Sequence, residues 1–323
     1  MARAEHTVPT ELAGRPLDGL VRTLFQTSWG DARKWISSGK VQVDGATVLD
    51  PERKVRAGVT VVLAMNAPKR GASARPVLED DAVVHVDAHV IVVNKPAGIS
   101  TIPFVPRGGV VPDKETEGPA ALTLDELVRA WLSKRVRKGE RGVRPSLGVV
   151  HRLDKETSGV LVFTRTWLAK QSLTQQFRAH TAQRRYLAIA HGDVKKKTIR
   201  SNLVADRGDG FRGSVPVNVK REGMQLAVTH VEPVERLVGA TLVACRLETG
   251  RTHQIRVHLS EAGHPLVGER VYVRGYPGEL IAAPRLMLHA AALGFVHPAT
   301  NVEVHFERPP PSDFEETLGR LRG

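Results

Sequence analysis

A short run rich in proline, glycine, serine and basic residues interrupts this chain of 323 residues and most constrains how it can fold. The run covers residues 66–76 and has the sequence NAPKRGASARP, which is typical of a linker between folded units rather than of a helix or strand interior. We therefore expect a loose tail over residues 1–10, a small domain over 11–66, a linker over 67–77 and a large domain over 78–323.

The small domain has the pattern of two short helices and a small sheet. Leucine and valine recur at helical spacing over 17–24, and a second helix is predicted from an N-cap at Asp31 to Gly39. An Asp-Gly pair at 44–45 separates two short apolar runs, which indicates a β-hairpin, and residues 59–63 supply a further strand. A unit of this size is near the lower limit for independent folding.

Strand-like apolar runs dominate the large domain. They predict strands over 82–86, 90–93, 160–164, 187–190 and 241–247. Amphipathic segments predict helices over about 123–136 and 167–180. Because the strands do not alternate regularly with long helices, a doubly wound parallel sheet is disfavoured and an α+β fold is predicted.

The charge balance gives the first indication of a partner. The chain has 47 Lys and Arg against 34 Asp and Glu, a formal net charge of +13, which favours an anionic partner, most often a nucleic acid. A hydrophobic fraction of 41% excludes the disordered and fibrous classes.

No apolar stretch suits a signal peptide or approaches the roughly 20 residues of a membrane span. The single cysteine, Cys245, suits a reducing compartment. We expect a cytoplasmic protein with no membrane partner.

The most unusual local sequence is the polar segment HRLDKETSG at 151–159, which lies between apolar runs at 147–150 and 160–163. A polar loop held between core elements is a common setting for catalysis. Composition alone favours a simpler interpretation, in which Asp154 forms a structural ion pair with a neighbouring Arg or Lys.

A second segment that can carry chemistry is ETGRTHQIRVHL at 248–259. Gly250 permits a sharp turn before a predicted helix. Arg251 and Arg256 lack a carboxylate nearby in the sequence other than Glu248, so we expect a distant Asp or a phosphate to bind them.

Three other classes of site are disfavoured. Five histidines invite a metal hypothesis, but His253 and His258 are five residues apart, whereas helical metal pairs prefer three or four, so we expect scattered structural histidines and no metal. Ser158 lacks the Gly-x-Ser-x-Gly turn of a serine hydrolase. No glycine-rich motif that binds nucleotide phosphates is present.

Tyr186, one of three tyrosines, follows Arg184 and Arg185. One interpretation is an aromatic side chain at a strand edge that packs on the core. The other is a platform on which a nucleobase stacks, flanked by cations that bind phosphate.

Together these segments resemble the RluA family of RNA pseudouridine synthases. The motif His-Arg-Leu-Asp-x-x-Thr-Ser-Gly is present at 151–159, and Gly-Arg-Thr-His-Gln-Ile-Arg-Val-His matches at 250–258. Asn-Lys-Pro-Ala-Gly at 94–98 looks like the first motif of the family, and residues 288–298 look like its last. The resemblance spans about residues 78–314, with the four motifs in order.

The small domain is similar to the RNA-binding domain first seen in ribosomal small-subunit protein four. The similarity is looser and rests on the sequences at 15–18, 35–36, 39–41 and 43–45. The resemblance therefore implies a pseudouridine synthase fold, a mixed and largely antiparallel sheet with flanking helices, plus a small N-terminal α/β RNA-binding domain.

The resemblance also implies a role for each matching residue. Asp154 would be the catalytic carboxylate, which either attacks the ribose or helps to eliminate the base, and Arg256 would be its paired cation. Tyr186 would stack on the flipped uracil, and Arg152 would fill the space that the base vacates. The further expected substrate contacts are Arg251, Lys95 and His253, and the expected RNA contacts are Arg33, Lys34, Lys40, Arg184 and Arg185. No cofactor or metal is implied, because the isomerisation has no redox or hydrolytic step.

The predicted function is site-specific conversion of uridine to pseudouridine in structured RNA. Large-subunit ribosomal RNA is the preferred substrate and transfer RNA the second choice. A non-catalytic RNA-binding or ribosome-assembly protein stays open as a different class, although the presence of Asp154, Tyr186 and Arg256 favours an enzyme. We expect a monomer. The segment 104–144 is longer than the family's minimum and has no assigned role.

Overall fold

The computed structural model describes residues 4–48, 50–65, 77–103, 122–135, 146–208, 211–215 and 222–323. The chain divides into two compact units, of which one extends to Val77 and the other comprises Leu78–Pro103 and Thr123–Gly323. Nearly all of the predicted linker and most of the segment 104–144 lie outside the described residues.

Within the described residues the small unit is a four-stranded antiparallel sheet with two helices. Its elements are β1 (Ala4–Thr7), α1 (Leu17–Leu24), α2 (Trp29–Ser37), β2 (Val41–Val43), β3 (Ala46–Thr47) and β4 (Thr60–Leu63). The strand order is β1-β4-β2-β3. Asp44 and Gly45 have φ values of 48° and 77°, which is the tight turn that their sequence predicts. The core between sheet and helices includes Leu17, Leu20, Ile36 and Val61.

Two predictions for the small unit are wrong. Ala4–Thr7, expected in a loose tail, pair with β4, with Ala4 opposite Leu63. The sequence AEHT lacks the apolar alternation of a strand, and it pairs because the edge of β4 offers free backbone groups. The N-cap of α2 is Ser28 rather than Asp31, because the Ser28 hydroxyl accepts a hydrogen bond from the Asp31 amide.

The large unit contains most of the strands. Its elements in chain order are β5 (Val83–Val86), β6 (Val90–Lys95), α3 (Leu124–Ser133), β7 (Gly148–Val149), β8 (Ser158–Thr164), α4 (Trp167–Arg178), β9 (Gln183–His191), β10 (Lys197–Val204), β11 (Gly213–Val215), β12 (Gln225–Leu237), β13 (Ala240–Leu247), α5 (Gln254–Glu261), β14 (Leu288–Val296), β15 (Glu303–Glu307) and α6 (Ser312–Arg322). None of the described helices is long and apolar enough to cross a membrane.

The strands of the large unit form one mixed sheet, which confirms the predicted fold class. The order is β11-β10-β12-β13-β9-β14-β8-β6-β5, with β15 on β14 and β7 on β8. Neighbouring strands are antiparallel except β8 and β14, where His289 lies opposite Ser158 in a parallel pairing. Lys95 pairs with Gly159, so the end of β6 lies beside the start of β8 and next to the loop that precedes it.

Helices cover both faces of this sheet and leave its centre open. On one face, Ala169 and Leu173 of α4 pack on valines of β6 and β8. On the other, Phe314 and Leu318 of α6 pack on Ile189 of β9 and its neighbours. The part of β9 that carries Tyr186 is not covered by either helix core and borders a cavity.

Candidate active site

A cavity of about 790 Å³ in the large unit is lined by both chemistry-bearing segments of the sequence. It is bounded by the loop before β8, the end of α4, the start of β9 and the segment from Gly250 to Arg256. It brings together seven of the predicted residues: Arg152, Asp154, Arg184, Tyr186, Arg251, His253 and Arg256.

Hydrogen bonds to its backbone hold the loop that carries Asp154 in place. Thr101 Oγ1 accepts a hydrogen bond from the Leu153 amide at 3.2 Å and donates one to the Leu153 carbonyl at 2.8 Å. The Thr157 amide donates to the Asp154 carbonyl at 3.1 Å, and the Gly98 amide donates to the Lys155 carbonyl at 2.8 Å. The backbone on both sides of Asp154 is therefore held in place.

Lys95 does not line the cavity, contrary to the prediction that it contacts substrate. Its side chain is 1% exposed, and Nζ donates to the carbonyls of Pro96, Ile99 and Lys155 at 2.9, 2.8 and 3.0 Å. All three ammonium hydrogens are thereby engaged, so none is available for RNA. Lys95 instead joins the segment after β6 to the Asp154 loop. Burial lowers the pKa of Lys95 to about 7.

His151 supports the same loop from the side. Its ring stacks on Phe177 of α4 with 4.4 Å between ring centroids, and its Nε2 accepts a hydrogen bond from the Val162 amide. Burial lowers the pKa of His151 to about 3, so the ring is neutral at physiological pH and its proton is on Nδ1.

Among the described residues, the basic side chain within 4 Å of Asp154 is His253 rather than Arg256. His253 Nε2 lies 3.8 Å from Asp154 Oδ2. Arg256 instead forms a bidentate ion pair with Glu269, with Nε to Oε2 at 2.7 Å and Nη2 to Oε1 at 2.8 Å. The predicted direct ion pair of Asp154 with Arg256 is thus wrong, although Arg256 lies within electrostatic range of Asp154. Burial opposes the charge on Arg256, but the hydrogen bonds and charge of Glu269 prevail and raise its pKa.

Two residues to which the sequence gave no role contact the residues on this side of the cavity from behind its lining. The hydroxyl of Tyr272 lies 2.7 Å from His253 Nδ1, and Tyr272 packs 5.1 Å from the Arg256 guanidinium. Glu269 has a side-chain exposure of 1% and accepts hydrogen bonds from the backbone amides of Arg270 and Val271. Both lie in the irregular segment between α5 and β14, after the motif at 250–258, where no periodicity marks them.

His253 occupies a strained position at the start of α5. Its φ of 58° lies in the left-handed region, which few residues with a side chain adopt. The Gln254 side chain fixes this turn, because its Oε1 accepts from the Arg251 amide and from Thr249 Oγ1 and its Nε2 donates to the Val228 carbonyl. The turn directs His253 towards Asp154. Burial lowers the pKa of His253, against the opposing effect of the Asp154 charge.

Tyr186 and Arg184 lie on the cavity side of β9. Tyr186 is 9% exposed, and burial raises its pKa to about 12, so the phenol is neutral at physiological pH. Arg184 is 7% exposed, donates from Nη2 to the Glu248 carbonyl at 2.7 Å, and has a buried Nε with no partner within the described residues. A buried guanidinium without a carboxylate is suited to an anionic ligand.

The remaining predicted residues have different settings. Arg152 is exposed at the cavity and donates to Thr252 Oγ1 at 3.1 Å, while Arg251 Nε donates to the Leu226 carbonyl. Arg185 lies on the opposite face of the sheet from Tyr186, because successive strand residues alternate.

The predicted RNA contacts of the small unit are Arg33, Lys34 and Lys40. Arg33 pairs with Asp18 at 2.8 Å, and Lys34 is exposed on α2. Lys40 donates a hydrogen bond to the Met65 carbonyl.

Known protein families match both units. The family of RNA pseudouridylate synthases matches residues 89–261, and the S4 domain matches residues 15–61. The chain is 35% identical to the ribosomal large subunit pseudouridine synthase D of Xylella fastidiosa over 98% of its length and 92% of that protein. The chain belongs to the pseudouridine synthase family.

Further relatives agree with this assignment. The ribosomal large subunit pseudouridine synthase D of Pseudomonas aeruginosa is also 35% identical, over 98% of this chain and 94% of that protein. An uncharacterised RNA pseudouridine synthase of Bacillus subtilis is 37% identical over 90% of this chain and 88% of its own. The structure of a human RNA pseudouridylate synthase domain protein has the same fold, with a TM-score of 0.57 and 23% identity over 75% of this chain and 93% of that one. The predicted reaction class, an RNA pseudouridine synthase, is thereby confirmed.

Proposed function

We propose that this chain converts specific uridines of large-subunit ribosomal RNA to pseudouridine, with Asp154 as the reacting carboxylate. The observation that carries the proposal is the position of Asp154: a carboxylate 23% exposed, on a loop fixed through Lys95 and Thr101, in a cavity that also contains Tyr186. A carboxylate that is partly shielded from water at a cavity wall is suited to react with a nucleotide that has flipped out of an RNA helix.

In this proposal the bond between C1′ of the ribose and N1 of uracil breaks, and a bond between C1′ and C5 forms. The proton on C5 is lost and N1 gains one, so the product is an isomer and no cofactor is consumed. Asp154 either bonds to C1′ until the base returns or removes a proton from the ribose, and both routes place its carboxylate against the sugar. Tyr186 stacks on the free uracil, and its neutral phenol stabilises the ring without adding charge.

The basic residues of the cavity have three roles in this proposal. Arg184 and Arg251 contact the phosphates beside the target nucleotide, because neither has a carboxylate partner in the described part of the chain. Arg152, exposed at the cavity, occupies the space that the flipped base leaves. His253 and the pair of Arg256 with Glu269 fix the surroundings of Asp154.

Ribosomal RNA is proposed as the substrate because the relatives from Xylella fastidiosa and Pseudomonas aeruginosa are named for the large ribosomal subunit. The S4 domain match over residues 15–61 supports a second contact with a large structured RNA. We propose that the protein works in the cytoplasm, where ribosomes are assembled, and as a monomer, since every residue assigned a role belongs to one chain.

Mapping pseudouridine in total RNA of cells with and without this protein tests the substrate. We expect a loss of specific sites in large-subunit RNA that wild-type protein restores and Asp154→Asn does not. Loss of sites in transfer RNA alone would contradict the ribosomal assignment.

Tritium release from uridine labelled at C5 tests the catalytic role of Asp154. Full release by Asp154→Asn would refute that role. RNA binding without tritium release by the wild-type protein would favour an assembly protein.

A further inference from the structure

A row of directly opposed residues crosses the sheet on the face away from the catalytic cavity. Thr198 of β10 lies opposite His230 of β12, His230 opposite Arg246 of β13, and Arg246 opposite Arg185 of β9. Opposed residues of antiparallel strands share a face, and successive residues alternate between faces. The row therefore lies on the opposite face from Tyr186, which we call the back face.

Arg185 and Arg246 are two like charges in direct cross-strand opposition, an arrangement that destabilises a sheet unless another group neutralises it. Both side chains are exposed. Neither forms an ion pair or a side-chain hydrogen bond with any residue in the ranges that the structure describes. Longer-range attraction to Glu232 and Glu248 offsets part of this repulsion at Arg246.

The carboxylates near this arginine pair are engaged elsewhere. Glu232 Oε1 pairs with Lys196 Nζ at 2.7 Å, and Glu248 Oε1 pairs with His230 Nε2 at 2.6 Å. Glu307 lies two strands from Arg185 and forms no ion pair with it. Within the described residues, the two guanidinium groups therefore have no close carboxylate partner and can donate hydrogen bonds to an external anion.

Two grooves flank the arginine pair, each of about 440 Å³ and each lined by both Arg185 and Arg246. One groove shares His180, Arg184 and Leu247 with the catalytic cavity, so the two spaces adjoin at the start of β9. The other groove continues to a set of exposed lysines, Lys196 and Lys197. Arginine and lysine side chains thus follow a path from the cavity around β9 to the back face. Glu248 and Glu307 also line the first groove, and Glu232 lines the second.

We propose that the Arg185 and Arg246 pair binds the phosphate backbone of the substrate RNA outside the target nucleotide, as an RNA strand leaves the cavity and passes over the back face. This inference rests on the proposed function. Guanidinium groups bind phosphate with two parallel hydrogen bonds, and two adjacent ones are matched by consecutive phosphates rather than by a single carboxylate. The surface extends the recognised RNA beyond the nucleotides that fill the cavity.

The test compares two RNAs and four proteins. The RNAs are a transcript of large-subunit ribosomal RNA and a short stem-loop that contains only the mapped target uridine and its neighbours. The proteins are wild type, the double variant Arg185→Ala with Arg246→Ala, the double variant Arg185→Lys with Arg246→Lys, and Lys134→Ala. Lys134 is an exposed cation at the end of α3 and controls for the loss of charge alone. Dissociation constants are measured over a range of salt concentrations, together with single-turnover conversion.

We expect the double alanine variant to bind the long transcript at least roughly tenfold more weakly than wild type. The slope of the logarithm of affinity against the logarithm of salt concentration should become less steep by about 1 to 2. Its conversion of the bound stem-loop stays within about twofold of wild type. The double lysine variant keeps the salt slope, because it keeps the charge, but loses part of the affinity.

Three results would overturn the inference: an unchanged dissociation constant of the double alanine variant for the transcript, an equal loss on the stem-loop, or a loss of the same size in Lys134→Ala. Unchanged RNA binding with loss of association with ribosomal proteins would replace RNA by a protein partner on this face. Failure of the proposed function is a separate result, in which wild-type protein converts no uridine in either RNA.

Discussion

Arg256 donates hydrogen bonds from Nε and Nη2 to the two carboxylate oxygens of Glu269, at 2.7 and 2.8 Å. The cation that was expected to pair with Asp154 is therefore paired with another carboxylate. Glu269 also accepts hydrogen bonds from the backbone amides of Arg270 and Val271. The pair therefore joins helix α5 to the segment that carries Tyr272, whose hydroxyl contacts His253. The ion pair of Arg256, which lines the cavity, with Glu269, which lies behind it, thus helps to position His253 beside Asp154.

The first prediction concerns the stability of this pair. Glu269→Ala leaves the nearly buried Arg256 without its partner and should destabilise the large unit by about 3–5 kcal/mol. Urea denaturation followed by circular dichroism measures the change. The double variant Glu269→Ala with Arg256→Ala should recover part of the loss, because no unpaired charge then remains.

A matched control is available on the surface. Arg322 and Glu235 form a similar bidentate pair at 2.8 Å, but both side chains are well exposed. Glu235→Ala should leave the free energy of unfolding close to that of wild type, since exposed pairs contribute little. Equal effects of Glu235→Ala and Glu269→Ala would contradict the assigned importance of burial.

The second prediction concerns Lys95. Lys95→Met removes the donor of three carbonyl hydrogen bonds beneath the Asp154 loop, so we expect at least a tenfold lower kcat with little change in KM for RNA. Lys134→Met, which changes an exposed lysine, should leave both constants unchanged. A normal kcat in Lys95→Met would show that the loop keeps its shape without this donor.

The pKa of Lys95 adds a third prediction, on stability and pH. Burial lowers its pKa from 10.5 to about 7 in the folded protein, so the unfolded chain binds more protons between these values. The free energy of unfolding of wild type should therefore rise from about pH 7 to about pH 10.5 relative to that of Lys95→Met. The difference between the two proteins, measured by denaturation at each pH, isolates this lysine from the other titrating groups. A difference that does not change with pH would contradict the lowered pKa.

The sequence predicted the elements of the large unit where apolar runs are continuous. The strands that contain 160–164 and 241–247 are buried on both faces, so nearly every residue is apolar and the pattern is clear. Long β12, Gln225–Leu237, was not predicted because it mixes charged residues and a proline with short apolar stretches. Its pairing is fixed by its neighbours β10 and β13, which a local pattern does not reveal.

The motifs located the cavity, but they did not give the contacts inside it. Asp154, Tyr186 and Arg256 line one cavity as their positions in the motifs implied. Lys95 belongs to the first motif, yet only the fold shows that its ammonium group is buried under the loop. The pairing of Arg256 depends on Glu269, which is distant from Asp154 in sequence and lies in an irregular segment. Side-chain partners of this kind are set by tertiary packing.

A fourth prediction concerns the contact of Tyr272 with His253. Tyr272→Phe keeps the ring beside Arg256 and removes only the hydroxyl that lies 2.7 Å from His253 Nδ1. The imidazole then loses the group that fixes its orientation near Asp154, so we expect kcat to fall about tenfold with KM unchanged. Tyr276→Phe is the control, because Tyr276 packs on His191 rather than on the site residues. Equal activity of the two variants would exclude a role for the Tyr272 hydroxyl.

The last prediction separates the two possible contributions of Tyr186. Tyr186→Phe keeps the stacking surface and removes the hydroxyl, whereas Tyr186→Leu removes the aromatic ring. If the ring supports the uracil, Tyr186→Leu raises the dissociation constant for a stem-loop RNA about tenfold and Tyr186→Phe does not, since base stacking on an aromatic side chain contributes about 1–3 kcal/mol. If the phenol also takes part in removing the C5 proton, Tyr186→Phe releases tritium much more slowly while binding normally.

The same phenol sets an expectation for the pH profile. Because burial raises the pKa of Tyr186 to about 12, wild-type activity should show no loss from ionisation of the phenol up to about pH 10. An alkaline loss near pH 10 that is absent in Tyr186→Phe would contradict the buried, neutral phenol.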